Sequence, residues 1–188
     1  MNRVTLCISL LFLLALGLSL PGWLDEDVVL PKSETEEAWV PNYQATTMLS
    51  TVYNKEGEIT HQVYAEKMEH FDLLGFTLFK RPQYTLFSQS GTPWKISANE
   101  GTLYDDQRLQ FETDVEISGR DKDNLMQRVN SQFVEVNLSD KTMHSDQYVN
   151  ISGPNYVINS NGFKANLETQ QYELFDHVKT VFQPSTGH

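Results

Sequence analysis

Residues 94–117 read WKISANEGTLYDDQRLQFETDVEI, and their periodicity decides the fold class. Trp94, Ile96 and Ala98 alternate with Lys95 and Ser97, and Val115 and Ile117 flank Glu116. A period of two sorts side chains onto one apolar and one wet face, the signature of a half-buried strand. Asp105-Asp106 separates two such runs with turn-forming residues, so the strands it joins are antiparallel.

The same grammar continues outward. Val134 and Val136 alternate around Glu135, and the turn candidates Ser139-Asp140-Lys141 and Thr169-Gln170-Gln171 each separate two runs. Asn161-Gly162 is predicted to supply the positive φ of a tight turn, and Gly153-Pro154 a sharp bend. Three stretches repeat one plan: LYDDQRLQFETDVEI from Leu103, LSDKTMHSDQYVNI from Leu138 and LETQQYELFDHVKTV from Leu167. In each, Leu opens a turn and a Val follows at Val115, Val149 or Val178, as a stack of hairpins produces when each needs its neighbour to bury its apolar face. No long stretch of helical period competes. The reading is an all-β domain, a sandwich or roll, beginning near Thr46 and running to residue 188.

Upstream, VTLCISLLFLLALGLSL from Val4 to Leu20 carries no charge and approaches the roughly 30 Å hydrocarbon thickness of a bilayer if helical. With Val4, Leu11, Leu14 and Leu20 along it, residues 1–24 are expected to form a single transmembrane anchor. Arg3 before the run and Asp25, Glu26 and Asp27 after it place the short N-terminus in the cytoplasm and the bulk across the membrane. The alternative is a cleaved signal peptide, since Ala15-Leu16-Gly17 resembles a processing site. Residues 25–45, acidic and interrupted by Pro31 and Pro41, read as a linker.

Composition then excludes function classes. A formal charge of −11 argues against nucleic acid, which requires a Lys/Arg face. The single cysteine, Cys7, lies within the apolar run and permits no internal disulfide in the domain. The five histidines, His61, His70, His144, His177 and His188, are scattered without metal-ligand spacing, and no nucleophile elbow, phosphate loop or dinucleotide turn occurs. Neither a catalytic residue, a metal nor a cofactor is implied.

With these parts on the page, the chain resembles the LptC family of lipopolysaccharide export proteins of Gram-negative envelopes. The likeness is carried by VYNKEGE (52–58), KRPQYTLF (80–87), TPWKISANEG (92–101), FETDVEI (111–117) and VNISG (149–153), and it runs through nearly the whole chain. The resemblance implies a twisted, open antiparallel β-jellyroll in the periplasm, preceded by an inner-membrane span. It further implies an apolar interior that takes lipopolysaccharide acyl chains from an inner-membrane ABC transporter and passes them to the soluble bridge protein LptA, by edge-to-edge strand pairing.

Alternation sends Tyr84, Leu86, Trp94, Ile96, Phe111, Val115, Ile117, Val134, Val136, Val149 and Ile151 inward, with Met48 and Phe79 near one mouth. The same residues would serve a plain core equally well. The segment Tyr172–Phe182, with Tyr172, Leu174, Val178 and Val181, is the expected docking strand for the bridge protein, and Gly57 and Gly153 stand at strand ends where the chain turns. A structural adaptor that pairs sheets without touching lipid is the competing reading.

Overall fold

The computed structural model describes residues 38–87, 93–119, 127–169 and 171–182. They form fourteen antiparallel strands. The first six are β1 (Tyr43–Tyr53), β2 (Ile59–Phe71), β3 (Phe76–Lys80), β4 (Gln83–Leu86), β5 (Trp94–Ser97) and β6 (Glu100–Tyr104). Two long strands follow, β7 (Arg108–Gly119) and β8 (Arg128–Asn137). The rest are short: β9 (Thr142–Ser145), β10 (Val149–Ser152), β11 (Tyr156–Ser160), β12 (Gly162–Asn166), β13 (Gln171–Phe175) and β14 (Lys179–Phe182).

Their pairing resolves into two layers of a jellyroll-like sheet. One layer runs from the first half of β2 through β4, β5, the second half of β7, the first half of β8, β10 and β11 to β14. The other runs from the second half of β2 through β3, β6, the first half of β7, the second half of β8, β9 and β12 to β13. Every ribbon of chain therefore crosses a corner from one layer to the other. Long strands bend there, and short ones break, as β3 does into β4, β9 into β10 and β13 into β14.

The corner has a local cause. Thr47, Arg81, Thr113, Asp114, Asp176 and His177 all adopt positive φ at the crossing points. One extra residue accumulates on β7 between Glu112 and Val115, a bulge that bends the strand and raises its twist. Three serines, Ser131, Ser145 and Ser160, are buried along the same line. The Ser160 hydroxyl lies 2.6 Å from the Phe175 carbonyl and 2.8 Å from that of Gly162, and Ser131 lies 3.0 Å from the Phe133 carbonyl and 3.2 Å from that of Tyr148. Side-chain hydroxyls thus occupy backbone groups where the ladder is interrupted.

The turns behave as their composition suggests. Residues 105–107, 138–141 and 167–169 reverse the chain, and Asn137 Oδ1 accepts the Ser139 N–H at 2.9 Å, as Asn166 Oδ1 accepts that of Thr169 at 2.8 Å. Gly57, at φ +83, closes the β1–β2 turn, and the Gly153 N–H reaches the Tyr156 carbonyl at 3.0 Å in the β10–β11 hairpin.

Three expectations are corrected. Asn161-Gly162 is no tight turn: Asn161 marks a corner crossing, and Gly162 begins β12 without positive φ, paired with Phe175 of β13, whose ring fills the space a Cβ would take. Tyr172–Phe182 is not one strand, since Asp176 and His177 carry it around the corner. Val178 is half-exposed, whereas its repeat counterparts Val115 and Val149 are buried, because the ribbon it belongs to has no further neighbour among the described residues.

β1 starts at Tyr43, a little ahead of Thr46, and Trp39 packs edge-on against Phe71 and near Phe76. Among the described residues no helix is long and apolar enough to cross a membrane. The apolar run with Val4, Leu11, Leu14 and Leu20 lies outside the described residues, as does most of the linker.

Candidate functional site

Residues directly opposite across an antiparallel pair share a face, so the register traces the interior row by row. In the first layer one row reads Val63, Tyr84, Ile96, Ile117, Val129, Ile151 and Ile158. In the second, Leu103, Leu109, Val136, Met143, Ala165 and Tyr172 lie in line, with Phe79, Gly101, Phe111 and Val134 beside them. The layers meet where the Tyr84 ring abuts Phe111 edge-on at 6.4 Å.

Ten of the interior candidates, Tyr84, Trp94, Ile96, Phe111, Val115, Ile117, Val134, Val136, Val149 and Ile151, fall in one apolar cluster, and Leu86 packs against it. Phe79 is buried outside that cluster. Met48 is half-buried on β1 opposite Ala65. Alternation missed Leu109, Val129, Met143, Phe163 and Leu167, which with Ala98 complete the cluster. Val129 and Met143 each precede a corner serine by two positions, so their runs read as too polar for a strand buried on one face.

A cavity of about 50 Å³ remains near one end, lined by His61, Val63, Phe79, Pro82, Tyr84, Leu103, Leu109, Phe111 and Leu138. His61 stacks on Tyr84 with ring centroids 5.6 Å apart. Burial pushes the His61 imidazolium below its ordinary range and the Tyr84 phenol above its own, because both charged forms would lose hydration. The outer face is polar instead: Glu116, Asn130, Asn150, Asn159 and Lys179 form one cross-strand row.

Both ends of the sheet stay open among the described residues. β1 pairs only with β2, β13 only with β12, and β14 only with β11. Interior rows run out to these edges. Tyr172 lies opposite Ala165 and Leu174 opposite Phe163, facing inward, and Phe182 lies opposite Tyr156 at a ring distance of 6.5 Å. Val181 pairs with Val157 instead and belongs to the outer face, one residue out of step with Phe182. Phe182 is 77% exposed and marks the inner lip that the sequence reading passed over. Gly153 sits at the adjoining hairpin, where an added Cβ would come within 2.3 Å of the Tyr156 ring.

The comparisons agree with this geometry. Residues 9–183 match the family model described as "Lipopolysaccharide-assembly, LptC-related". The chain is similar to the lipopolysaccharide export system protein LptC of Escherichia coli K12, 26% identical over 146 residues that cover 76% of this chain and 75% of that one. It is likewise similar to the LptC of Haemophilus influenzae, 28% identical over 165 residues, covering 77% and 78%. In fold it is similar to the crystal structure of LptH, the LptA-homologous periplasmic component of the lipopolysaccharide transport device of Pseudomonas aeruginosa. That likeness has a TM-score of 0.54 at 11% identity and covers 66% of this chain and 95% of LptH. The chain belongs to the LptC-related family of lipopolysaccharide-assembly proteins.

Proposed function

We propose that this chain is a non-catalytic subunit of lipopolysaccharide transport, held in the inner membrane by the apolar run of residues 4–20 with its β-domain in the periplasm. It receives lipopolysaccharide from an inner-membrane ABC transporter and passes it along the apolar interior to the bridge protein LptA. One observation carries the reading: the inward-facing apolar positions reach the outer strands, at Tyr172 and Leu174 on β13 and Phe182 on β14, and no other strand among the described residues covers those edges.

The energetics suit the task. An acyl chain exposed to water forfeits about 0.8 kcal/mol per CH₂, so a dozen methylenes amount to on the order of 10 kcal/mol. A carrier must therefore offer apolar surface that is continuous across every joint. Unpaired edges let a neighbouring sheet add its strand by main-chain hydrogen bonds, and the interior rows then join end to end. On this reading β1 faces the transporter and β13–β14 face the bridge protein.

The packing of the inward residues into one buried cluster favours a second reading, a structural adaptor that pairs sheets and never touches lipid. Photo-crosslinking residues placed in living cells at Phe79, Trp94 and Phe182 separate the two. Lipopolysaccharide adducts from the first two positions and a bridge-protein adduct from the third are expected. A bridge-protein adduct with none to lipid selects the adaptor, and loss of both refutes the transport role.

A further inference from the structure

The polar outer face of the first layer is not flat. In the β7 bulge, Thr113 and Asp114 stand against Gln132 of β8 alone, and the break between β9 and β10 carries Gln147 and Tyr148. Asp114, Gln132, Gln147 and Tyr148, with Glu116 and Asn130, line an open groove of about 370 Å³. Tyr148 is 57% exposed, yet its ring is held in place: the hydroxyl donates to Asn159 Oδ1 at 2.8 Å, and Asn150 Nδ2 donates to the same oxygen at 2.7 Å. Asp114 Oδ2 accepts Asn99 Nδ2 at 2.8 Å, which orients the carboxylate and leaves its other oxygen open. The side-chain amides of Asn130, Gln132 and Gln147 are bonded to no other described residue. No Lys, Arg or His lines the groove, and Arg128, beyond it, pairs with Glu116 at 3.4 Å.

We propose that this groove is a ligand site on the outside of the domain for an uncharged hexose unit, best an N-acetylated one. Tyr148 is the stacking platform, and Asp114, Gln132 and Gln147 bind the hydroxyls. A pyranose has a C–H face that packs on an aromatic ring and a rim of hydroxyls that both donate and accept. Amide side chains answer both roles and carboxylates accept, while an N-acetyl group adds an N–H and a C=O for the remaining amides. An apolar ligand would leave these groups without a partner, and a phosphate or sugar acid would meet two carboxylates with no lining cation. The site does not depend on what the apolar interior carries. The same sugar chemistry is presented by a glycan strand and by the headgroup of a glycolipid.

The test titrates the full-length chain in amphipol by calorimetry, against a blank of empty amphipol. The probes are N-acetylchitotetraose, tetragalacturonic acid as a charged counterpart, and octyl β-N-acetylglucosaminide, below its micelle concentration, as the lipid-linked form. The neutral tetramer should saturate the site below about 10 mM, at least about tenfold tighter than the acidic one. Tyr148→Ala should weaken it about tenfold or more, and Gln132→Ala and Gln147→Ala about three- to tenfold each, the worth of one net hydrogen bond. All three side chains are exposed, so Tm should be unchanged. His144→Ala, opposite Lys164 on the second layer, should leave binding as it is. Losses on Tyr148→Ala for both tetramer and octyl glycoside support the groove, and the tighter of the two tells polymer from lipid headgroup. No saturation by the neutral tetramer, or equal binding of the acidic one, overturns the proposal. So does an octyl glycoside that alone binds and is indifferent to Tyr148→Ala, because the apolar interior is then the site.

Discussion

Replacing Ser160 with alanine tests whether the corner hydroxyls hold the two layers in register. Ser160 is 1% exposed, and its single O–H proton is shared between the Phe175 carbonyl at 2.6 Å and the Gly162 carbonyl at 2.8 Å. Both acceptors lie on the second-layer side of the last corner, where Gly162 and Phe175 pair, so one hydroxyl ties the end of β11 across the corner to the start of β12 and the end of β13. Alanine keeps the packing but leaves buried carbonyl groups short of a partner, which costs about 1–3 kcal/mol. For a domain of this size each kcal/mol shifts Tm by about 2–4 °C, so a loss of about 4–8 °C is expected for the middle of that range. Ser131→Ala should behave similarly. Ser145→Ala should cost less, because the Ser145 hydroxyl accepts only the Gln147 N–H at 3.2 Å and meets Ser131 at 3.4 Å. Thermal and urea unfolding followed by circular dichroism measure the totals, and hydrogen exchange on β13 and β14 shows where protection is lost. A Ser160→Ala change below about 0.5 kcal/mol, within the range of ordinary surface substitutions, would refute the corner argument.

Phe111→Ala, at the centre where the layers meet, should cost about 3–5 kcal/mol and bring the domain close to unfolding, as read by urea denaturation. Burial holds the folded-state pKa of His61 below the ordinary 6.5, so the unfolded chain binds its proton more readily. His61 therefore adds a stability loss as pH falls from about 6.5 toward the folded value, and His61→Leu should flatten the slope of unfolding free energy against pH between about 7 and 5. Gly153→Val must displace the Tyr156 ring, which lies against Phe182 on the open edge. It should weaken capture of the bridge protein in pull-down while Tm changes little. Unchanged capture would separate the hairpin from docking.

How much was legible depended on how local the signal was. The turns at Asp105-Asp106 and Ser139-Asp140 and the inward positions of Ile96, Phe111, Val115, Ile117, Val134 and Val136 were readable, because turn chemistry and period-two alternation act over a few residues. Met143 and Phe163 were not. Met143 is followed two positions on by the polar Ser145 and Phe163 is preceded two positions back by Asn161, so neither stands in a visibly apolar alternation. Phe182 was passed over in favour of Val181 because the corner at Asp176-His177 resets which parity faces inward. A one-residue shift exchanges the two faces of a strand, and local sequence does not say where that shift occurs.

By itself, then, the amino-acid sequence determined that the domain is built of antiparallel strands with one apolar face and, by resemblance, which family it joins. The tertiary structure alone decided where each ribbon folds over into the second layer, that Tyr84 and Phe111 meet between the layers, and which strands have no further neighbour among the described residues. Alternation is a property of consecutive residues. The corner arises from non-glycine residues held at positive φ and from buried serines bonded across the break, and these conformations persist only when neighbouring ribbons bend in the same place.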